Sequence, residues 1–287
     1  MNLFESNIIN IYGNKGRVWL ADLPKLVKTL SLRFGLRNLT PAPNLTYNYI
    51  LLGLQNDRPI VLKLGLDCKG LAQEAFALKV FDGQGAIKLL AEDSGLLLLE
   101  KAIPATSLKC YFPTNETESI EITCSLIQKL HQAKIPQIHP CPHIKNWLEA
   151  LDKHWNIPHK YLQKARKLRY QLLKTKGADV FLHGDLHHNN ILKNGNTWVA
   201  IDPKGIIGEP AYEIASFILN PQPELLESSD SFKIIQKRIL ACGLLLKIPT
   251  QRILDFCFVR SVLGWVWALE DGCDASYFRQ LAQLLSK

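Results

Sequence analysis

Apolar positions recur along this chain with two different spacings, and the change between them divides it. From Lys15 to Phe34, Trp19, Leu23, Leu26, Val27 and Leu30 share one face of a helix. Leu45 to Leu54 and Pro59 to Leu64 are short apolar runs joined by Gln55-Asn56-Asp57-Arg58, which predicts an antiparallel hairpin. A helix from about Lys69 to Phe81 follows, with Leu71, Ala75 and Leu78 on its apolar side. A second hairpin is expected from Ala86 to Leu90 and Gly95 to Leu99, turning at Ala91-Glu92-Asp93-Ser94. Past Pro104 the spacing becomes helical. Asn115 with Glu118 three residues on is a capping pair for a helix to about Ala133, and further helices are expected near 144–154, 158–176, 210–219, 230–246, 249–270 and 274–286. One segment interrupts that pattern. Val180 to Leu182 is an apolar lead-in, and Ile191 to Lys193 and Thr197 to Ile201 read as strands around the turn signal Asn194-Gly195-Asn196.

Composition bounds the picture. With 287 residues, 47% of them hydrophobic, the chain can bury a full core and form two lobes of unequal size. The start, MNLFESNIIN, lacks a basic region followed by a long apolar run, and no later stretch approaches the roughly 18 apolar residues of a membrane span, so the expectation is a cytoplasmic protein with no membrane partner. Seven cysteines with no CxxC spacing fit reduced thiols better than a disulfide framework. The net charge of +8 raises the question of nucleic acid. Much of the excess lies in Lys160, Lys164, Arg166, Lys167, Arg169, Lys174 and Lys176 on one expected helix, where a solvated face is the ordinary outcome, so no nucleic-acid partner is expected.

The candidate chemistry sits in the interrupting segment, FLHGDLHHNNILKNGNTWVAIDPKG. Asp185 follows the apolar lead-in, where a carboxylate can accept the proton of an attacking hydroxyl. If the turn is Asn194-Gly195, Asp202 falls opposite His187; if it is Gly195-Asn196, Asp202 falls opposite Asn189. Either register returns Asp202 beside Asn190, and a carboxylate with an amide oxygen suits Mg2+, whose shell nucleotide phosphates complete. That order of groups is the one phosphoryl transfer from Mg-ATP requires. A rival reading takes His183, Asp185, His187 and His188 as ligands of a metal-dependent hydrolase, although no second ligand cluster is evident elsewhere.

The HGDLHHNNIL and AIDPKG segments resemble the catalytic loop and metal motif of the aminoglycoside phosphotransferases, a branch of the protein-kinase-like fold. Within that family LLEKAIPATSL near position 100 and IDPKGIIGEPAYEIA near 205 are most similar to the streptomycin 6-phosphotransferase and hydroxyurea phosphotransferase group, and GNKGRVWLADLP at Gly13 to Pro24 extends the likeness. The resemblance implies an α+β, bilobal protein-kinase-like fold: a small antiparallel-sheet lobe over 1–101, a hinge near 100–104 and a larger, mainly helical catalytic and acceptor-binding lobe over 102–287.

It also implies ATP and Mg2+ as cofactors, with a small-molecule hydroxyl as acceptor. Lys63, a cation inside an apolar strand, would neutralise phosphates with Glu74 as its helix partner; an outward-facing strand lysine is the competing account. Asn44, Thr46 and Asn48 offer short polar groups in the hairpin that covers the phosphates, which has no GxGxxG. Adenine would bond to backbone near Glu100 and Ala102. His187 is a polar loop residue near substrate, and Lys204 is either a phosphate or metal-aspartate contact or a surface lysine. Glu209 and Glu213 either favour a helix start electrostatically or touch substrate. Glu270, Asp271 and Asp274 form the acidic cluster for a cationic acceptor, against a solvated helix end. The implied acceptor is a streptomycin-type aminoglycoside or hydroxyurea, and the alternative is a small metabolite such as an amino alcohol or sugar.

Overall fold

The computed structural model describes residues 2–43 and 45–286, so Asn44 lies outside the described residues. The chain divides into two compact units, one of Met1–Gly83 with Ile87–Ala102 and one of Gln84–Ala86 with Ile103–Lys287.

The first unit is an antiparallel sheet between two helices. Helix α1 spans Leu3–Phe34, starting earlier than the apolar spacing suggested because Asn2 and Glu5 close a capping box. It is broken at Gly13, whose φ of 56° and ψ of −129° are outside the helical region and open to glycine alone at little cost. The segment after that break carries the face expected from Lys15 onward. Strands β1 (Leu36–Pro41), β2 (Tyr49–Gln55), β3 (Arg58–Leu64), β4 (Leu89–Asp93) and β5 (Leu96–Glu100) order as β1-β2-β3-β5-β4, and helix α2 spans Cys68–Phe81 between β3 and β4. Strand β1 was not expected, since LRNLTP alternates too weakly to announce itself.

Both hairpins turn on two residues. Gln55 pairs with Arg58 around Asn56-Asp57, and Asp93 pairs with Leu96 around Ser94-Gly95. The second turn lies later than expected because Ser94-Gly95 allows a tight reversal, and both strands shift toward the C-terminus at unchanged length. Ile60, Leu62 and Leu64 of β3 and Leu96 and Leu98 of β5 pack with Phe4, Ile8, Leu23 and Leu30 of α1 in one core.

The second unit is mainly helical. It holds β6 (Pro104–Ser107), α3 (Glu116–Leu130), α4 (Ile144–Leu148), α5 (His159–Lys174), β7 (Val180–Leu182), β8 (Ile191–Asn194), β9 (Thr197–Ala200), β10 (Ile206–Gly208), α6 (Pro210–Ile218), α7 (Glu224–Glu227), α8 (Ser231–Leu246), α9 (Thr250–Glu270) and α10 (Ser276–Leu284). Two small sheets, β6-β8-β9 and β10-β7, carry the interrupting segment. The helix expected over 144–154 stops at Leu148 and tightens into a 3-10 turn over Glu149–Asp152. The Asn115–Glu118 capping pair does not form: the Asn115 side chain makes no cap bond. At that end Glu116 turns inward instead, and Arg238 holds its carboxylate through two bonds of 2.7 Å. Among the described residues no helix is long and apolar enough to cross a membrane.

Candidate active site

Strand pairing brings the loop from β7 to β8 alongside the loop from β9 to β10. In the β8–β9 hairpin Asn194 pairs with Thr197 and Ile191 with Ala200, so the turn is Gly195-Asn196, the second of the two registers considered. Pairing stops before Asp202, because His188–Asn190 curls into a 3-10 turn and Asp202 adopts a φ of 58°. The contact is made one step further on: the Ile201 N–H donates to the Asn190 carbonyl at 3.0 Å. The Asn190 Nδ2 donates to the Asp185 carbonyl at 2.9 Å, which fixes that amide and leaves its Oδ1 as the ligand-type atom. Asp185, Asn190 and Asp202 are therefore tied into one pair of adjoining loops. Asp185 keeps about a third of its side chain exposed, at 35%.

His183 is the brace of both loops. Its Nδ1 accepts the Asp185 N–H at 3.2 Å and its Nε2 lies 2.8 Å from the Ile201 carbonyl. An accepting Nδ1 leaves the proton on Nε2, where it donates to that carbonyl. The His183 carbonyl in turn accepts from the N–H groups of Lys204 and Gly205. Burial lowers the pKa of His183, against the pull of Glu213 first and then of Asp185 and Asp202, and it lowers that of His187 against the pull of Asp185 and Asp202. His187 Nε2 stands 3.9 Å from Asp185 Oδ2.

Glu213, in the first turn of α6 and 1% exposed, takes a role that neither sequence reading named. Its carboxylate accepts the N–H of His183 at 2.6 Å and of Gly184 at 2.9 Å, holding the loop just before Asp185. Burial acts to raise its pKa, yet His131, His183 and the Gly184 N–H outweigh that and hold it below the ordinary carboxylate range. Glu209 instead pairs with Arg252. His188 is turned away from the loop surface, stacked on Phe217 with centroids 4.5 Å apart and with Nε2 3.3 Å from an Arg238 nitrogen. Burial, then Arg238, drives its pKa well down. Among the described residues no group of three His, Cys, Asp or Glu side chains is arranged to hold a metal, and with His183 and His188 committed elsewhere the hydrolase reading has no ligand set.

In the first unit Lys63 is 4% exposed, not outward-facing. Leu62 and Leu64 point into the core with α1, so Lys63 points to the opposite, α2 side of a central strand. There its Nζ lies 2.9 and 2.7 Å from the two carboxylate oxygens of Glu74. At the end of β5 the Glu100 N–H is taken by the Lys88 carbonyl and the Lys101 N–H by Pro59, while buried Ala102 follows outside the ladder.

A cavity of about 420 Å3 opens beside Asp185, walled by Trp147, Trp267 and Phe278 and lined by His187, Lys204 and Arg260. Glu270, Asp271 and Asp274 do not line it. They are exposed at the far end of α9, where Glu270 pairs with Lys153 at 2.7 Å and Asp274 accepts the Ser276 N–H at 2.9 Å. Trp267 faces the cavity, and Glu270, three residues later, is past the end of that wall. Arg260 and the aromatic walls, all half-buried, were missed from sequence because a helical Arg reads as solvated and a helical Trp or Phe as core; WVW in α9 was the available signal.

The profile of the aminoglycoside/hydroxyurea antibiotic resistance kinases matches residues 47–272. A streptomycin 3''-kinase of Klebsiella pneumoniae is 29% identical over 78% of this chain and 85% of its own length. A hydroxyurea phosphotransferase of Kitasatospora aureofaciens is 25% identical over 94% of this chain and 80% of its own. An aminoglycoside phosphotransferase solved with ADP and hygromycin B superposes with a TM-score of 0.70 at 13% identity, over 90% of this chain and 96% of that one. The likeness establishes a protein-kinase-like fold.

Proposed function

The chain belongs to the family of aminoglycoside/hydroxyurea antibiotic resistance kinases and is a small-molecule O-phosphotransferase, and from that premise we propose that it moves the γ-phosphate of ATP to the hydroxyl of an acceptor bound beside Asp185. The observation that carries this reading is the tie of Asn190 to Asp185 and of Ile201 to Asn190, which assembles a base and two hard oxygen donors on adjoining loops. Asp185 orients the acceptor hydroxyl and takes up its proton. Asn190 and Asp202, an amide oxygen and a carboxylate, fit the short protein share of a Mg2+ shell and would hold that ion. Magnesium there supplies charge neutralisation for the phosphates. Lys63, fixed by Glu74, would meet the α- and β-phosphates, and the peptides of Glu100 and Ala102 would meet adenine.

His183 stays neutral and never competes with Asp185 for the proton. Its task is to hold the Asp185 backbone, as Glu213 holds the residues before it. The relatives' names supply streptomycin and hydroxyurea as first acceptors to try. The test is ADP release from Mg-ATP in the presence of streptomycin, other aminoglycosides, hydroxyurea, amino alcohols and sugars. Acceptor-dependent release supports the reading; release by none, from a protein that binds no nucleotide, sinks it.

A further inference from the structure

The arginines of the second unit differ in what they face. Arg238 pairs with Glu116, Arg252 with Glu209 and Arg169 with Asp152. Arg166 donates to the carbonyls of Leu151 and Lys153 and Arg260, from α9, to Tyr212 Oη at 2.8 Å and Ser216 Oγ at 2.7 Å, so both bond neutral oxygens, and of the two Arg260 lines the cavity. Its guanidinium lies 4.9 Å from the Tyr212 ring centroid and 5.6 Å from that of Trp267, and the bonds from its two terminal nitrogens to Tyr212 and Ser216 hold the group in place. Burial works against its charge, but Tyr212, Asp185 and Glu213 more than offset this and keep it protonated. It lines the cavity that contains Asp185. The ionisable groups around that cavity are Asp185, His187, Lys204 and Arg260, so apart from the base itself the wall carries two cations and no carboxylate.

We propose that Arg260 selects the acceptor: the cavity takes a hydroxyl compound bearing a planar oxygen group, a carboxylate or urea-type carbonyl, which docks on the guanidinium while its hydroxyl reaches Asp185, and it disfavours polycations. The proposal rests on the phosphotransfer reading and narrows its acceptor. A guanidinium already held in place loses little freedom on binding such a group, and its fork matches two oxygens or one carbonyl. The aromatic walls suit a compact, flat skeleton. A polycationic aminoglycoside would bring like charge to the Arg260 guanidinium in the cavity wall.

Calorimetric titration of the full chain, loaded with Mg2+ and AMP-PNP, separates binding from chemistry. The probes are hydroxyurea, a series of hydroxycarboxylates from glycolate to mandelate, and streptomycin. Hydroxyurea or a hydroxycarboxylate should bind about tenfold or more tightly than streptomycin, and Arg260→Gln should weaken it by about tenfold or more while tightening streptomycin. Arg260→Lys, which keeps the charge and loses the fork, should fall between. Streptomycin binding most tightly to the unmodified protein, no binding of the oxygen-bearing probes at millimolar concentration, or equal affinities in the Gln variant would overturn the proposal. Should that variant fail to fold, salt decides on the unmodified protein: added salt must weaken the carboxylate and spare streptomycin, and the opposite dependence overturns it. Binding that obeys these rules without phosphate transfer would count against the kinase reading instead.

Discussion

Asp185 owes its orientation to bonds on both sides of its backbone: its N–H is held by the His183 ring and its carbonyl by the Asn190 amide, which leaves the carboxylate for the proposed role. Asp185→Asn keeps that frame and removes the proton acceptor. Turnover should fall on the order of 10² to 10⁴ with AMP-PNP affinity unchanged, as read by steady-state kinetics and nucleotide titration. Undiminished turnover would remove Asp185 from the mechanism. The histidines give a pH dependence with a definite sign. Burial lowers the pKa of His183, His187 and His188 below the ordinary 6.5. Below that value the unfolded chain binds protons that the folded chain refuses, so stability is full above about pH 6.5 and is lost as pH falls through it. Each group contributes at most about 1.4 kcal/mol per pH unit. Urea unfolding at pH 7.5 and 5.5 should show the loss, and His188→Phe should reduce it; stability that is flat or rises toward acid would contradict the assignment.

At the scale of elements, the short helix α6 holds the loop before Asp185 through one side chain. Glu213→Ala leaves two buried N–H groups without an acceptor, at about 1–3 kcal/mol each, whereas Glu213→Gln retains an oxygen and should cost less. Chemical denaturation checks the order, and turnover should drop in the same order because the loop before Asp185 is released. Helix α9 depends on a close approach to α10 at Gly264, where a Cβ would stand 2.4–2.9 Å from Phe278 ring atoms. Gly264→Ala should cost about 1–3 kcal/mol by overpacking or push Phe278 into the cavity. Unchanged stability together with unchanged acceptor affinity would show that the contact is slack.

At the scale of the molecule, α3 and α8 are joined by the buried Glu116–Arg238 pair, with Arg238 also reaching carbonyls of Phe217 and Ile218. Glu116→Ala strands that charge and should destabilise by about 3–5 kcal/mol in urea unfolding.

What was legible in the chain follows physical range. The hairpin around Gly195, the helix carrying Glu74 and most helices after Pro104 are set by neighbours within a few residues, so spacing and turn chemistry announced them. That Asp185, Asn190 and Asp202 lie on adjoining loops was readable for the same reason: one hairpin brings those loops together. Glu213 and Arg260 were not readable, since their meaning comes from contacts 29 to 48 residues distant in sequence. Strand β1 and the inward turn of Glu116 were hidden likewise, one by a weak pattern and the other by a partner 122 residues away.

Transfer of labelled γ-phosphate from ATP to an acceptor hydroxyl can be followed in a single turnover with the unmodified protein, Asp185→Asn and Asp202→Asn. A phosphorylated acceptor should appear only with Mg2+ and be nearly abolished in both variants, with Asp185→Asn still binding nucleotide. Equal phosphate transfer by all three proteins, or transfer indifferent to Mg2+, would contradict the proposed mechanism.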